Sequence, residues 1–313
     1  MRVLIVGGAG FLGGELAARF VADGFDTVVL DTASRLEHRA PVPGTGALAF
    51  DFVGDAGRVA LPAADALVHL GCTTNPALSM RDLPYDAESN IGPSLRLFDA
   101  AAAAGIGRVV FASSGGTVYG APRRLPVHED DAPAPLSGYG VSKWAIERYL
   151  ALNDRVRGVS LRVSNPYGPR QLGGAAVGVI ARYVGCVARG EPLQVWGDGR
   201  IVRDYIAVED VAAAFATAVA RPSFAHASYN IGSGEGRSIN EIIEAVFAAA
   251  GRRVPVDYQP GRAYDVPEIV LDSARFVDET GWSPRISLAE GVGRLWRWNS
   301  DCAHSPQCRT ISR

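Results

Sequence analysis

A doubly wound α/β sheet with a smaller α/β lobe toward the C-terminus is the fold class this sequence predicts. Apolar, β-rich runs alternate with longer helical stretches through the first half of the chain, the order of a parallel sheet with helical crossovers. Most of these runs are continuously apolar, as strands covered on both faces are. A glycine-rich turn, Gly-Gly-Ala-Gly-Phe-Leu-Gly, follows the first of them directly.

In order, the strand candidates are 2–8 (RVLIVGG), 27–31 (TVVLD), 47–52 (ALAFDF), 66–71 (ALVHLG), 108–114 (RVVFASS) and 158–165 (GVSLRVSN). Helical patterns occupy 11–23, 85–104 and 139–156 between them. Past residue 165 the alternation loosens. A helix is predicted within 173–190, and 203–220 reads as a short strand feeding another helix. The segment 238–251 opens on Ser238 with Glu241 three residues on, a capping box, and closes on Gly251. These signals divide the chain into a sheet domain over 1–165, with 203–235 returning to it, a smaller lobe from 166–202 and 236–298, and a frayed tail over 299–313.

The bulk numbers describe an ordinary globular protein: 313 residues, 48% hydrophobic and 20% charged. A net charge of −2 gives no electrostatic case for a nucleic-acid or anionic-membrane partner. No apolar stretch reaches the roughly 18 residues of a membrane span. Of the four cysteines, Cys72 and Cys186 show no ligand spacing, and Cys302, His304 and Cys308 read as tail rather than as a metal clip. No metal is expected, and a reducing cytoplasm is the expected compartment.

The turn after the first strand places Gly7, Gly10 and Gly13 where a backbone must turn tightly, approach a pyrophosphate and pack helix on sheet. Phe11 and Leu12 open the helix there, whose free N–H groups face phosphate charge. The second strand ends in Asp31, a carboxylate able to hold both ribose hydroxyls of NAD and to repel the 2′-phosphate of NADP, although Arg35 nearby offsets part of that repulsion. NAD is therefore the expected cofactor of a Rossmann-type site. Asp51 and Phe52 end the third strand, positioned for adenine. Leu70 and Gly71 end the fourth, where small residues let backbone approach, and His69 before them reads as a packed core residue.

Lys143 is the only lysine among the 31 Lys and Arg residues. It follows Tyr139 by four positions at the start of a predicted helix, so both side chains project from one face. A free tyrosine is a poor base near neutrality, its pKa being about 10. An adjacent ammonium favours the phenolate, and a rotatable ammonium also suits ribose hydroxyls better than a planar guanidinium.

The segments GGAGFLG, Asp31, SSGGTVYG (113–120), YGVSK (139–143), NPYGPRQ (165–171), WGDG (196–199) and RDYI (203–206) occur in the order found in extended short-chain dehydrogenase/reductases. The chain, from residue 1 to about 298, resembles the nucleotide-sugar epimerases of that group, UDP-glucose 4-epimerases above all. The resemblance implies Tyr139 as acid/base with Lys143 as its partner, Asn90 and Ser113 supporting the cofactor, and Asn165, Arg203, Arg262 and Asp265 holding the nucleotide diphosphate. It also implies a UDP-hexose substrate and a homodimer built on the helices at 85–104 and 139–156. Aligned on TVYG, the family's catalytic hydroxyl falls on Gly115. Thr117 or Ser114 must then supply it, and Thr117 is preferred. The acidic pair of sugar dehydratases is replaced by Gly116 and Thr117, which argues against dehydration. Two alternatives remain open: a nucleotide-4-ketosugar reductase or other net oxidoreductase, and a non-catalytic NAD(H)-sensing protein.

Overall fold

The computed structural model describes residues 1–39, 41–171, 178–261 and 266–304. The first half of the chain lays down β1 (Arg2–Val6), α1 (Phe11–Ala22), β2 (Asp26–Asp31), α2 (Ala33–His38), β3 (Gly46–Ala49), α3 (Phe52–Asp55), β4 (Ala66–His69), α4 (Pro76–Ser79), α5 (Leu83–Ala103), β5 (Arg108–Ser114), α6 (Gly115–Val118), α7 (Gly138–Leu152) and β6 (Arg157–Val163). The second half adds β7 (Asn165–Tyr167), α8 (Val179–Arg189), β8 (Leu193–Trp196), β9 (Val202–Ala207), α9 (Val208–Ala220), β10 (Ser228–Ile231), β11 (Gly236–Ser238), α10 (Ile239–Ala250), β12 (Val256–Gln259), β13 (Glu268–Ile269), α11 (Ala274–Thr280) and α12 (Leu288–His304).

Seven parallel strands form the main sheet in the order β10-β6-β5-β4-β1-β2-β3. Its two faces carry separate cores, and the period-2 alternation of a strand explains how one apolar run serves both. On β1, Val3 and Ile5 pack with Leu16 and Phe20 of α1 and with Phe215 of α9. Leu4 and Val6 of the same strand pack with Leu97 and Phe98 of α5 and with Ile146 and Leu150 of α7. The strand order reverses between β1 and β4, so the carboxyl ends of these neighbours splay their connections apart and open a crevice.

The remaining strands build smaller sheets, β11-β9-β13 with β7 beside β9, and the parallel pair β12-β8. Their core joins Ile180 and Val184 of α8, Ile242 and Val246 of α10, and Leu295 of α12. The predicted capping box is present at Ser238 and Glu241. Two boundaries differ from expectation. β3 stops at Ala49 because the Asp51 carboxylate turns to cap α3, accepting the Val53 N–H at 3.1 Å. α12 runs on to His304, past the expected start of a frayed tail, because Trp296 and Trp298 pack against the lobe core and the Ser300 hydroxyl donates to the Trp296 carbonyl at 3.1 Å. Among the described residues, no helix is long and apolar enough to cross a membrane, and no group of His, Cys, Asp and Glu is arranged to hold a metal ion.

Candidate active site

The crevice at the carboxyl edge of the sheet begins with the glycine turn. Gly7 has φ +82°, and a Cβ there would lie 3.1 Å from the Gly71 nitrogen and 3.2 Å from the Leu70 carbonyl carbon. At Gly13 a Cβ would come within 2.5 Å of the Gly7 oxygen. Both positions therefore exclude side chains, and α1 is drawn tightly against the turn. Gly10 caps α1 without any side-chain bond, so the first N–H groups of the helix remain open to an anion. Gly7, Gly10, Phe11, Leu12, Gly13, Leu70 and Gly71 all line one cavity of about 300 Å³, which also reaches Ser114, Tyr139 and Lys143.

A second cavity of about 240 Å³ shares Gly7 and Gly71 with the first and contains Asp31, Phe50 and Phe52. Asp31 is only 5% exposed. Its carboxylate accepts the N–H groups of Ala9 (3.0 Å) and Thr32 (2.9 Å), which fix its orientation, and Arg35 lies 3.9 Å away. This cradle, with its side-chain-free turn, open helix N-terminus and oriented carboxylate, fits a dinucleotide. Phe50, which sequence reasoning passed over, also lines the wall, and the neighbouring Asp51 caps α3 through Oδ1, which accepts the Val53 N–H at 3.1 Å.

Asn90 is buried on α5. Its carbonyl oxygen accepts the Thr73 N–H at 3.0 Å and its amide donates to the Asp86 carbonyl at 2.9 Å, tying α5 to the loop beyond β4. His69 is fully buried among Phe52, Phe98 and Phe111, with Nε2 2.9 Å from the Ser94 hydroxyl. Burial, aided by the Lys143 charge, holds its imidazole well below the usual range, so it is a neutral core residue.

α7 delivers the reactive pair. Ser137 caps it by accepting the Gly140 N–H at 3.2 Å, which sets Tyr139 and Lys143 in the first two turns. Lys143 is 4% exposed; its Nζ donates to the Ala112 carbonyl at 2.9 Å and lies 4.8 Å from the Phe111 ring centroid and 5.5 Å from that of Tyr139. One of its three donors is thus committed to β5. The Tyr139 phenol hydrogen-bonds to the Ser114 hydroxyl. Burial pushes that phenol up from the usual tyrosine range, Cys72 adds to the effect, the Ser114 hydrogen bond opposes it, and Asp86 raises it further. Burial pulls the Lys143 ammonium down, with Cys72, Glu147 and Asp86 opposing.

One expectation near this pair needs correction. Thr117 turns its hydroxyl back onto the Ser114 carbonyl at 3.4 Å, while Ser114 meets the phenol; Ser114 is therefore the better placed hydroxyl. Ser113, next along β5, lines the same cavity, and its hydroxyl donates to the Glu147 carboxylate. Gly115 has no room for a side chain, since a Cβ would lie 2.4 Å from Leu271 Cδ1 and 2.9 Å from the Arg162 carbonyl oxygen. Asn165 donates to the Asp204 carbonyl at 2.9 Å, and Arg203 to the Val202 carbonyl at 2.8 Å, both on the smaller sheet. Arg262 and Asp265 lie outside the described residues. Sequence reasoning missed Cys72 and Asp86, which line a narrow space with Tyr139 and Lys143; the four-residue spacing from Asp86 to Asn90 was the available signal.

The profile of the NAD dependent epimerase/dehydratase family matches residues 3–232. The chain belongs to that family. Among curated relatives, a UDP-glucose 4-epimerase of Mycolicibacterium smegmatis is 34% identical over 304 residues, covering 94% of this chain and 97% of the relative. Among solved structures, the UDP-glucose 4-epimerase of Thermus thermophilus in complex with NAD is 34% identical, with a TM-score of 0.85 over 95% of this chain and 98% of that one. The Thermotoga maritima UDP-glucose 4-epimerase with UDP-glucose is 29% identical, with a TM-score of 0.87 over 97% and 100%. Within this family the seven-stranded sheet and glycine cradle described above are the dinucleotide-binding frame.

Proposed function

We propose that this member of the family is an NAD-dependent UDP-hexose 4-epimerase working through a transient 4-keto sugar. The observation that carries the reading is the Ser114–Tyr139–Lys143 grouping, set at the carboxyl edge of the sheet beside a cradle that fits a dinucleotide. Gly7, Gly10 and Gly13 would admit the pyrophosphate, Asp31 the adenosine ribose, and Lys143 the nicotinamide ribose. NAD supplies an acceptor, then a donor, of hydride at the sugar C4.

Tyr139 takes the proton of the C4 hydroxyl and later returns one. A phenol raised by burial is a poor base alone; the Lys143 ammonium, with Nζ 5.5 Å from the ring centroid, would favour its phenolate form. Ser114 shares a hydrogen bond with that phenol and is placed to orient the sugar oxygen. Turning the ketone between hydride departure and return exposes its other face and inverts C4. We assign residues 166–202 and 236–298 to the lobe that holds the nucleotide diphosphate, with Asn165 and Arg203 at its border and Arg262 and Asp265 in the same role.

A homodimer joined through α5 and α7 fits the exposed apolar Tyr85, Val141, Tyr149 and Leu152 on those helices, which pack on each other. Free thiols at Cys72 and Cys186 support a reducing, cytoplasmic setting. Incubating the purified protein with UDP-glucose, UDP-N-acetylglucosamine and UDP-glucuronate, with chromatographic separation of products, tests the activity. The expected result is a C4 epimer without sustained absorbance change at 340 nm. Stoichiometric consumption of NADH or NADPH would establish a reductase instead, and no turnover of any nucleotide sugar would leave a binding protein. NAD(H) should bind at least about tenfold more tightly than NADP(H); equal affinities would overturn the role of Asp31.

A further inference from the structure

A buried carboxylate stands behind the reactive pair. Asp86, in the first turn of α5, is 1% exposed. Its Oδ2 accepts the Ser142 hydroxyl at 2.6 Å, and its Oδ1 accepts the Thr74 hydroxyl and, at 3.4 Å, the Asn90 amide. Among the described residues, these hydrogen-bond partners of the carboxylate are all neutral. A charge buried in this way is costly unless something nearby compensates it. The compensating group faces it across a narrow enclosed space walled by Asp86, Tyr139, Ser142 and Lys143. Ser142 directly precedes Lys143 on α7, so the short Ser142–Asp86 bond also pins the helical turn that carries the reactive lysine.

We propose that Asp86 is a positioning residue for the Tyr139–Lys143 pair: its charge keeps Lys143 in the ammonium form, and its bond to Ser142 fixes the turn of α7 that presents both groups. This rests on the reading of Tyr139 as the acid/base. The other groups facing the pair are Cys72 from the loop beyond β4, Glu147 one turn further along α7, and neutral His69 on β4. Glu147 is already matched by Arg162 of β6 at 2.7 Å, which leaves Asp86 as the carboxylate facing Lys143 without an arginine of its own.

A negative charge favours both neutral phenol over phenolate and ammonium over amine. Removing it lowers the pKa of Tyr139 and of Lys143 together. Asp86→Asn is nearly isosteric, and its amide can still pair with the two hydroxyls. In the pH profile of kcat/KM for the holoenzyme, both limbs should move toward acid by about 1 unit. Ser142→Ala keeps the charge and loses the tether, so its kcat should fall while its limbs stay in place. If Asp86→Asn does not fold, Asp86→Ser carries the same test with a smaller neutral group. A profile lowered uniformly with both limbs unmoved would overturn the electrostatic role, and Ser142→Ala with wild-type kcat would overturn the tether. Failure of the acid/base reading itself is separate: it would appear as near-normal turnover in Tyr139→Phe.

Discussion

Gly115→Ser separates the structural account from a motif alignment. The family pattern counted back from Thr117-Val118-Tyr119-Gly120 puts a catalytic hydroxyl at position 115, so restoring serine there would be expected to raise activity. A side chain at that position would instead enter the interior. Its Cβ would meet Leu271 Cδ1 at 2.4 Å and the Arg162 carbonyl oxygen at 2.9 Å. The leucine tip can swing aside, whereas the carbonyl belongs to β6, held on both sides by β5 and β10. Overpacking of this kind costs about 1–3 kcal/mol. In a large domain each kcal/mol lowers Tm by about 2–4 °C. Thermal denaturation followed by circular dichroism should show that fall, and turnover should not rise. Ser114→Ala should lose about 100-fold or more in kcat, as removal of a group acting in proton transfer does. The double variant Ser114→Ala/Gly115→Ser should stay as slow as Ser114→Ala. Rescue of turnover by the serine at 115, or an unchanged Tm, would refute the placement of both residues.

Arg162→Met should lose about 3–5 kcal/mol in urea denaturation, because it strands the buried Glu147 carboxylate that Arg162 holds through Nε at 3.0 Å and Nη2 at 2.7 Å; an unchanged midpoint would contradict that. Burial pushes the Tyr119 phenol up from 10.0 to about 12, with Arg162 opposing. Its folded pKa is raised, so its contribution is fully present below pH 10 and is lost as pH rises from 10 to 12, amounting to about 3 kcal/mol. The stability of Tyr119→Phe should fall less steeply than that of wild type over this window, and equal slopes would count against it. Lys143→Arg should lose about 100-fold or more in kcat despite keeping its charge, since the buried ammonium sits between the Ala112 carbonyl and the Phe111 ring; full activity would show that the lysine is dispensable.

The sheet, the glycine turn and the reactive pair were legible because each rests on local pattern. Continuous apolar runs mark two-sided strands, and a four-residue spacing fixes a shared helical face whatever the surroundings. Ser113 and Ser114 are neighbours on β5, and the strand period sends their side chains to different partners, one to Glu147 and one toward Tyr139. Counting back from TVYG missed this because two glycines separate the strand end from Thr117. The end of β3 was placed too far along because a helix cap and a strand end look alike in a short segment. Asp86 was invisible for a different reason. A carboxylate in the first turn of a helix ordinarily serves the helix dipole at the surface, and only the packing of α5 on α7 buries it behind Lys143.

The account turns on Tyr139 as the group that exchanges a proton with the sugar. Single-turnover kinetics of Tyr139→Phe with bound NAD and UDP-glucose measure this most directly, with NAD affinity determined in parallel. The expected result is a fall of about 100- to 10,000-fold in the rate of hydride transfer with NAD affinity preserved. Hydride transfer at a near wild-type rate in that variant would contradict the account.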